Sequence, residues 1–231
     1  MTARPQRHRS RPIAILMLIP LLAGCGGLLS SPPKRQLYRV NPTLAFAAGL
    51  PHVAAQLLVA SPTAPAGLDT ERIALSRAPL SLDYFADAQW ADRMPFLIQT
   101  ALVQGFEKSA AIPAVAPDNG SLSADFVLET SIRDFEAIYD ASGGPPRVSV
   151  ALDVKLVRMP ARRIVAQISV SREAKATDNA VPEIVAAFDS ALGGAVTEIV
   201  TWTLGNRALS ERRGALLSPA RFVENIGGAT R

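Results

Sequence analysis

The 231-residue chain predicts an α+β fold: a mixed, mainly antiparallel sheet with two helices packed on one face, in a single domain. Three observations predict it. Apolar residues alternate through the middle of the chain, in "ADFVLETSI" from residue 124, "VSVALDVKL" from 148 and "IVAQISV" from 164, and a period of two places alternate side chains on one face of a strand. Residues 94–109 and 179–204 instead repeat apolar positions at spacings of three and four, the helical period. The resulting order is strand, strand, helix, strands, helix. Such grouping points to helices gathered on one side of a sheet.

The elements follow in order. Residues 26–36, "GGLLSSPPKRQ", carry turn formers and no periodicity and read as a tether. Order begins at 37–40. "QLLVA" at 56–60 is a short apolar strand stopped by "SPTAPAGLD", and "RIALS" at 72–76 is another. "APLSLDYFADAQWAD" then leads into the first helix, 94–109, where Ile98, Ala101 or Leu102, and Phe106 form the stripe. Asp92 is placed to cap its start, and Pro95 is tolerable in a first turn.

In the third apolar run Phe126, Leu128, Thr130 and Ile132 share a face. Past Arg133-Asp134 the phase slips to Phe135, Ala137 and Tyr139, which predicts a bulge. "ASGGPP" supplies a turn into the strand carrying Val148, Val150, Leu152, Val154 and Leu156, and "MPAR" a turn into Ile164, Ala166, Ile168 and Val170. This is an antiparallel meander with one buried and one wetter face. The second helix, 179–204, has Val181, Ile184, Phe188, Ala191 or Leu192, Val196, Ile199 and Trp202 as its stripe, with Gly193-Gly194 a possible bend. Residues 206–231 lose periodicity and are expected to be a loose tail. No internal repeat is present.

The N-terminus has a different character. Arg4, Arg7, Arg9 and Arg11 precede the eleven-residue apolar run "IAILMLIPLLA", and "LAGC" places the chain's single cysteine, Cys25, directly after it. The run is too short to span a bilayer and suits the core of a secretory signal. Leu22-Ala23-Gly24-Cys25 matches a bacterial lipobox, so residues 1–24 read as a lipoprotein signal peptide and Cys25 as the lipidated first residue of the mature chain. Residues 25–36 then form a lipidated tether. Removing the signal takes four arginines and no acid, so 24 basic residues fall to 20 and match the 20 acidic ones. Net charge therefore gives no argument for nucleic acid or anionic headgroups as partners. A lone cysteine forms no internal disulfide, and no second apolar run of spanning length is expected, which leaves Cys25 as the anchor.

Little in the mature chain suggests catalysis. Its single histidine, His52, has no cysteine partner for a metal and stands near a loop, where a solvated role is the ordinary one. No phosphate-cradling G-x-x-x-x-G-K-[ST] loop occurs, and neither cofactor nor metal is expected. Asp83, Asp87 and Asp92 stand among Tyr84, Phe85 and Trp90 in "LDYFADAQWAD". Three readings are open there: a paired-carboxylate hydrolytic site, a structural segment whose aromatics pack, and a recognition edge built on Tyr84, Phe85 and Trp90. The helix stripes are likewise either core or a lipid-handling surface.

The lipobox, "GLDTERIALSR", "LDYFADAQWADRMPFLIQTALVQGFEKS", "RDFEAIYD" and "NAVPEIVAAFDSALGGAVTEIVTWTL" resemble the ABC-type transport auxiliary lipoprotein family, the small lipoproteins of MCE-type lipid-transport systems such as paraquat-inducible protein C. The resemblance covers roughly residues 25–204, with the family domain at 37–205. Its most specific part is an aromatic, then "A-D-A-x-W", then a leucine-rich helix. It implies a non-catalytic outer-membrane lipoprotein facing the periplasm. Its implied partners are an MCE-domain substrate-binding protein, an ABC permease and its ATPase, with a homo-oligomer a further possibility. Together these would move lipid or another hydrophobic compound between membranes. Gly26, rather than an aspartate after the cysteine, favours outward sorting. The alternative is an envelope lipoprotein that binds peptidoglycan or assists assembly of an unrelated secretion complex.

Overall fold

A computed structural model describes residues 35–120, 122–141 and 143–210. The elements are β1 (Gln36–Tyr38), β2 (Gln56–Val59), β3 (Arg72–Ser76), β4 (Asp83–Trp90), α1 (Met94–Ser109), β5 (Ala114–Pro117), β6 (Phe126–Ile138), β7 (Arg147–Arg158), β8 (Arg163–Lys175), α2 (Val181–Leu204) and the short α3 (Arg207–Ser210). Eight strands form one mixed sheet and the two long helices lie against it, the α+β architecture that the alternation and the helical stripes predict.

The sheet is organised by the length of β6. Its thirteen residues pair along one edge with all of β7, which in turn pairs antiparallel with β8. Along its other edge β6 has room for two shorter partners in the same direction: β2 at Phe126–Leu128 and β3 at Ala137 and Ile138. Between them a single bridge joins Thr63 to Ser131. β5 extends the β2 side in parallel. On the β3 side β4 is antiparallel to β3, and β1 is parallel to β4. The long ladders are thus antiparallel and four of the short pairings are parallel. The expected phase slip in β6 is present: the register with β7 shifts between Ile132 and Asp134, so Phe135 and Ala137 rejoin Phe126, Leu128 and Ile132 in the core.

The core lies between one sheet face and the helices. Ile98, Ala101, Leu102 and Phe106 of α1 are buried, as the spacing requires. Pro95 occupies the first turn, but Asp92 does not cap the helix. Arg93 holds the N-cap position with no side-chain cap, and the Asp92 carboxylate instead accepts the Arg93 N–H at 2.7 Å. In α2 the stripe from Ile184 to Leu204 packs on β7 and β8. This helix is 24 residues long and its most apolar 18-residue stretch has a mean hydropathy of 1.4, so by length and composition it could span a bilayer, contrary to expectation. Its burial against two strands makes it a core helix instead.

The paired glycines have a different role from the expected bend. Helix α2 is continuous through Gly193 and Gly194. A Cβ on Gly193 would stand 2.9 Å from the Thr43 carbonyl oxygen, because residues 41–44 cross the outside of the two helices as a strap. Pro42 is buried there, and the Asn41 N–H donates to Asp189 Oδ1 at 2.9 Å. Burial pushes the Asp189 carboxyl above the ordinary aspartate range, opposed by that hydrogen bond. Its folded-state pKa therefore exceeds its unfolded one, so its contribution is most favourable at low pH and is lost as pH rises through the raised value. Asp189→Asn retains an acceptor for Asn41 and removes the charge. Its melting temperature at neutral pH should equal or exceed that of the parent, with a shallower decline from mildly acidic to neutral pH. Thermal melts across that range check it.

Beyond Gly205, a region expected to be loose, residues 207–210 form α3. Leu209 is buried and the Ala208 carbonyl accepts from Arg158 Nη2 at 2.9 Å. The rest of that tail lies outside the described residues, as do the signal, Cys25 and residues 26–34.

Candidate functional site

The segment "LDYFADAQWAD", read as a passage from strand to helix, is mostly strand β4. Its ladder is interrupted: Ala74 pairs with Tyr84 and Arg72 with Gln89, so Phe85, Ala86 and Asp87 bulge out of the ladder, with Phe85 still resting against the core. Bulges of this kind redirect side chains and are common beside functional surfaces.

The bulge separates the three aromatics that the sequence groups together. Trp90 returns to the ladder, donating its N–H to the Glu71 carbonyl at 2.7 Å, and its indole is 1% exposed. It meets Phe188 edge-on at 5.2 Å and Phe135 edge-on at 6.0 Å, while those two rings stack at 4.8 Å. This corrects the expectation that Trp90 contacts a partner. The irregular register turns Trp90 inward, and aromatics from β6 and α2 cover it. Tyr84 and Phe85 remain partly exposed. The Tyr84 hydroxyl donates to the Gly67 carbonyl at 3.0 Å, and the Arg72 guanidinium lies 3.5 Å over its ring. The ring is therefore held in place while one edge faces solvent.

The acidic residues of the segment do not converge. Asp83, Asp87 and Asp92 are exposed, and Asp83 and Asp92 each accept the N–H of the next residue, Tyr84 and Arg93. His52 is exposed. Among the described residues no three His, Cys, Asp or Glu side chains gather as metal ligands. On the sheet, the Glu136 carboxyl is raised above the ordinary glutamate range by burial and by neighbouring Asp134. It stands on β6 without a histidine or a second raised acid.

The sequence reading missed a groove of 590 Å³ between α2, β8 and the strap, lined by Thr43, Ile168, Arg172, Thr197 and Trp202 among others. An Arg172–Glu198 ion pair at 2.7 Å closes one wall. Trp202 was legible as the last residue of the α2 stripe; it is partly buried, packing against the core while it lines the groove. The groove is open, lined chiefly by threonines and small residues, with Ile168 and Trp202 as its large apolar side chains and one paired charge. It can hold an apolar surface but presents no nucleophile with a base.

The domain is α+β, with a strap across its helix layer, a bulged β4 and an open groove. Its sequence places it further. The family model for ABC-type transport auxiliary lipoprotein components matches residues 37–200, and the chain belongs to that family. A protein of Bradyrhizobium diazoefficiens is 34% identical over 155 residues, which are 66% of this chain and 40% of that relative. The chain thus corresponds to less than half the length of that relative. The crystal structure of a protein from Xanthomonas campestris superposes with a TM-score of 0.70 at 28% identity, covering 78% of this chain and 99% of that one. A second crystal structure, of an uncharacterized protein, has a TM-score of 0.57 at 15% identity and covers 74% and 99% of the two chains. It shares the fold. The family is one of transport auxiliary lipoproteins, and nothing in these likenesses indicates catalysis.

Proposed function

We propose that the chain is the lipid-anchored accessory subunit of an ABC/MCE-type system that moves lipid or another hydrophobic compound between the two membranes. In this reading Cys25 carries the acyl chains and anchors the protein in the outer membrane, facing the periplasm. The partly exposed edge of Tyr84 and Phe85 is the contact for the MCE-domain protein, and the permease and ATPase lie beyond it. The observation that carries the reading is the family match over residues 37–200. The lipobox before it and the β4 bulge within it support the anchor and the contact respectively.

A fixed aromatic edge suits recognition physically. Tyr and Phe bring large contact areas at low rotamer entropy, and holding Tyr84 between Gly67 and Arg72 lowers the ordering cost of binding further. Acylation is equally specific, because two or more acyl chains hold a protein stably where one does not.

The test is purification of the full-length lipoprotein from detergent-extracted envelopes, with its partners identified. An MCE-domain protein should accompany it, and Phe85→Ser should lower that yield by more than its loss of folded protein explains, since Phe85 also packs against the core. Cys25→Ser should abolish palmitate incorporation and leave an uncleaved or mislocalised precursor. Equal palmitate incorporation in parent and variant would remove the anchor from the reading. Recovery with a different set of envelope proteins would remove the transport system.

A further inference from the structure

The turn between β3 and β4 holds a leucine in solvent in a conformation that leucine rarely adopts. Leu80 has φ +63° and a relative exposure of 108%. The Ser81 N–H closes the turn onto the Ala78 carbonyl at 3.2 Å. With Pro79 second and a positive φ third, this is the pattern of a type II turn, whose third position ordinarily takes Gly or Asn. Side chains fasten it further. The Ser76 and Ser81 hydroxyls both donate to the Ala78 carbonyl, at 3.0 and 2.7 Å, and the Ala78 N–H donates to Ser81 Oγ at 3.2 Å. Strained non-glycine backbone persists where its surroundings over-determine it, and it concentrates at functional positions. What this strain produces is an apolar side chain held away from the protein.

The neighbours give the chemistry of what Leu80 meets. Leu82 is 45% exposed and rests against Gly67, where an added Cβ would come within 2.5 Å of its Cδ2. The Arg77 guanidinium lies 5.1 Å over the Tyr139 ring, beside the same turn. Two exposed leucines with an arginine and a tyrosine behind them match the layering of a bilayer surface: apolar side chains in the acyl boundary, guanidinium and phenol at headgroup level.

The register relates this tip to the direction from which β1 enters the sheet. β1 runs parallel to β4, with Gln36 opposite Ala88 and Tyr38 opposite Trp90. Arg35 and Gln36 therefore run in from the direction in which β4 begins and the turn lies, with Gln36 itself opposite Ala88, near the far end of β4. Nine residues lie between Cys25 and Arg35, and those ten steps of chain reach at most about 33–36 Å. Leu122, another exposed leucine at 58%, precedes β6. Because β3 and β6 are parallel and meet at Ser76 and Ile138, the start of β6 is the opposite end of the sheet.

We infer that the Leu80 turn, with Leu82 and Arg77, is a second membrane contact, dipping into the bilayer that holds the acylated Cys25 and so fixing the domain's orientation. The inference rests on the lipid-anchor reading of Cys25.

Acylation occupies the only native thiol, so a cysteine introduced by Leu80→Cys or Leu122→Cys takes a single environment-sensitive fluorophore. The full-length acylated variants are reconstituted into phosphatidylethanolamine–phosphatidylglycerol vesicles and recovered by flotation. The label at position 80 should shift to the blue and be quenched severalfold more by a bilayer-resident nitroxide lipid than the label at 122. Adding Leu82→Ser should reduce that quenching. Protein that floats while both labels report water overturns the membrane contact and leaves the anchor standing. Protein that does not float overturns both. A photo-crosslinker at position 80 that captures protein and no lipid in intact cells overturns the inference in favour of a protein partner.

Discussion

Trp90→Ala should lower the free energy of unfolding by about 3–5 kcal/mol, the range for deleting a fully buried large aromatic. The indole fills the space between β4, β6 and α2, in edge-on contact with Phe135 and Phe188, so its removal opens a cavity and leaves the stacked pair uncovered on one side. Trp90→Phe should lose clearly less. It retains a ring against the pair, and it removes an indole Nε1 that is buried without a hydrogen-bond partner among the described residues, whereas such groups usually find one. Denaturant unfolding of both variants measures the two effects. A Trp90→Ala domain as stable as the parent but unable to associate with its partner would return Trp90 to the surface and contradict the burial. The expected result is a destabilised domain whose folded fraction still associates normally.

Gly105→Leu should cost about 1–3 kcal/mol through overpacking, in spite of leucine's better helix propensity. A Cβ at this position would lie 2.6 Å from Val196 Cγ1 and 3.2 Å from Val200 Cγ2, and both valines are fully buried. Val is stiff at χ1, so it cannot turn aside, and the helices must separate. Because α1 packs over β2 and β5 while α2 packs over β7 and β8, that separation loosens the whole helix layer. Gly105→Ala should show a smaller loss, since one methyl asks for a smaller shift and gains propensity. A Gly105→Leu variant that unfolds at the parent's denaturant midpoint would show that the helices do not meet there.

The two variants draw on different kinds of information. The β6–β7–β8 meander, its bulge and both long helices were legible because each buries one face, and a buried face writes its period into the sequence. The bulge at Arg133 was readable for the same reason, since an extra residue moves every later apolar side chain by one position. The fold class followed from these elements alone.

What tertiary structure decided is where chain segments distant in sequence meet. β5 is four residues long and β4 is broken by its bulge, so neither carries a clean period. The parallel pairings of β2 and β3 with one edge of β6 depend on β6 being long enough for both, and no local signal reports that. Gly105, Gly193 and Gly194 look in sequence like weak points in helices. Their meaning comes from Val196, the Thr43 carbonyl and Arg172 respectively. Trp90 is the sharpest instance. A cluster of three aromatics within seven residues looked too crowded for one core, yet the bulge sends Trp90 inward and leaves Tyr84 and Phe85 partly exposed. Composition and period determined which residues need burial. Only the register of β4 against β3, a property of two strands together, decided which of these aromatics receives it.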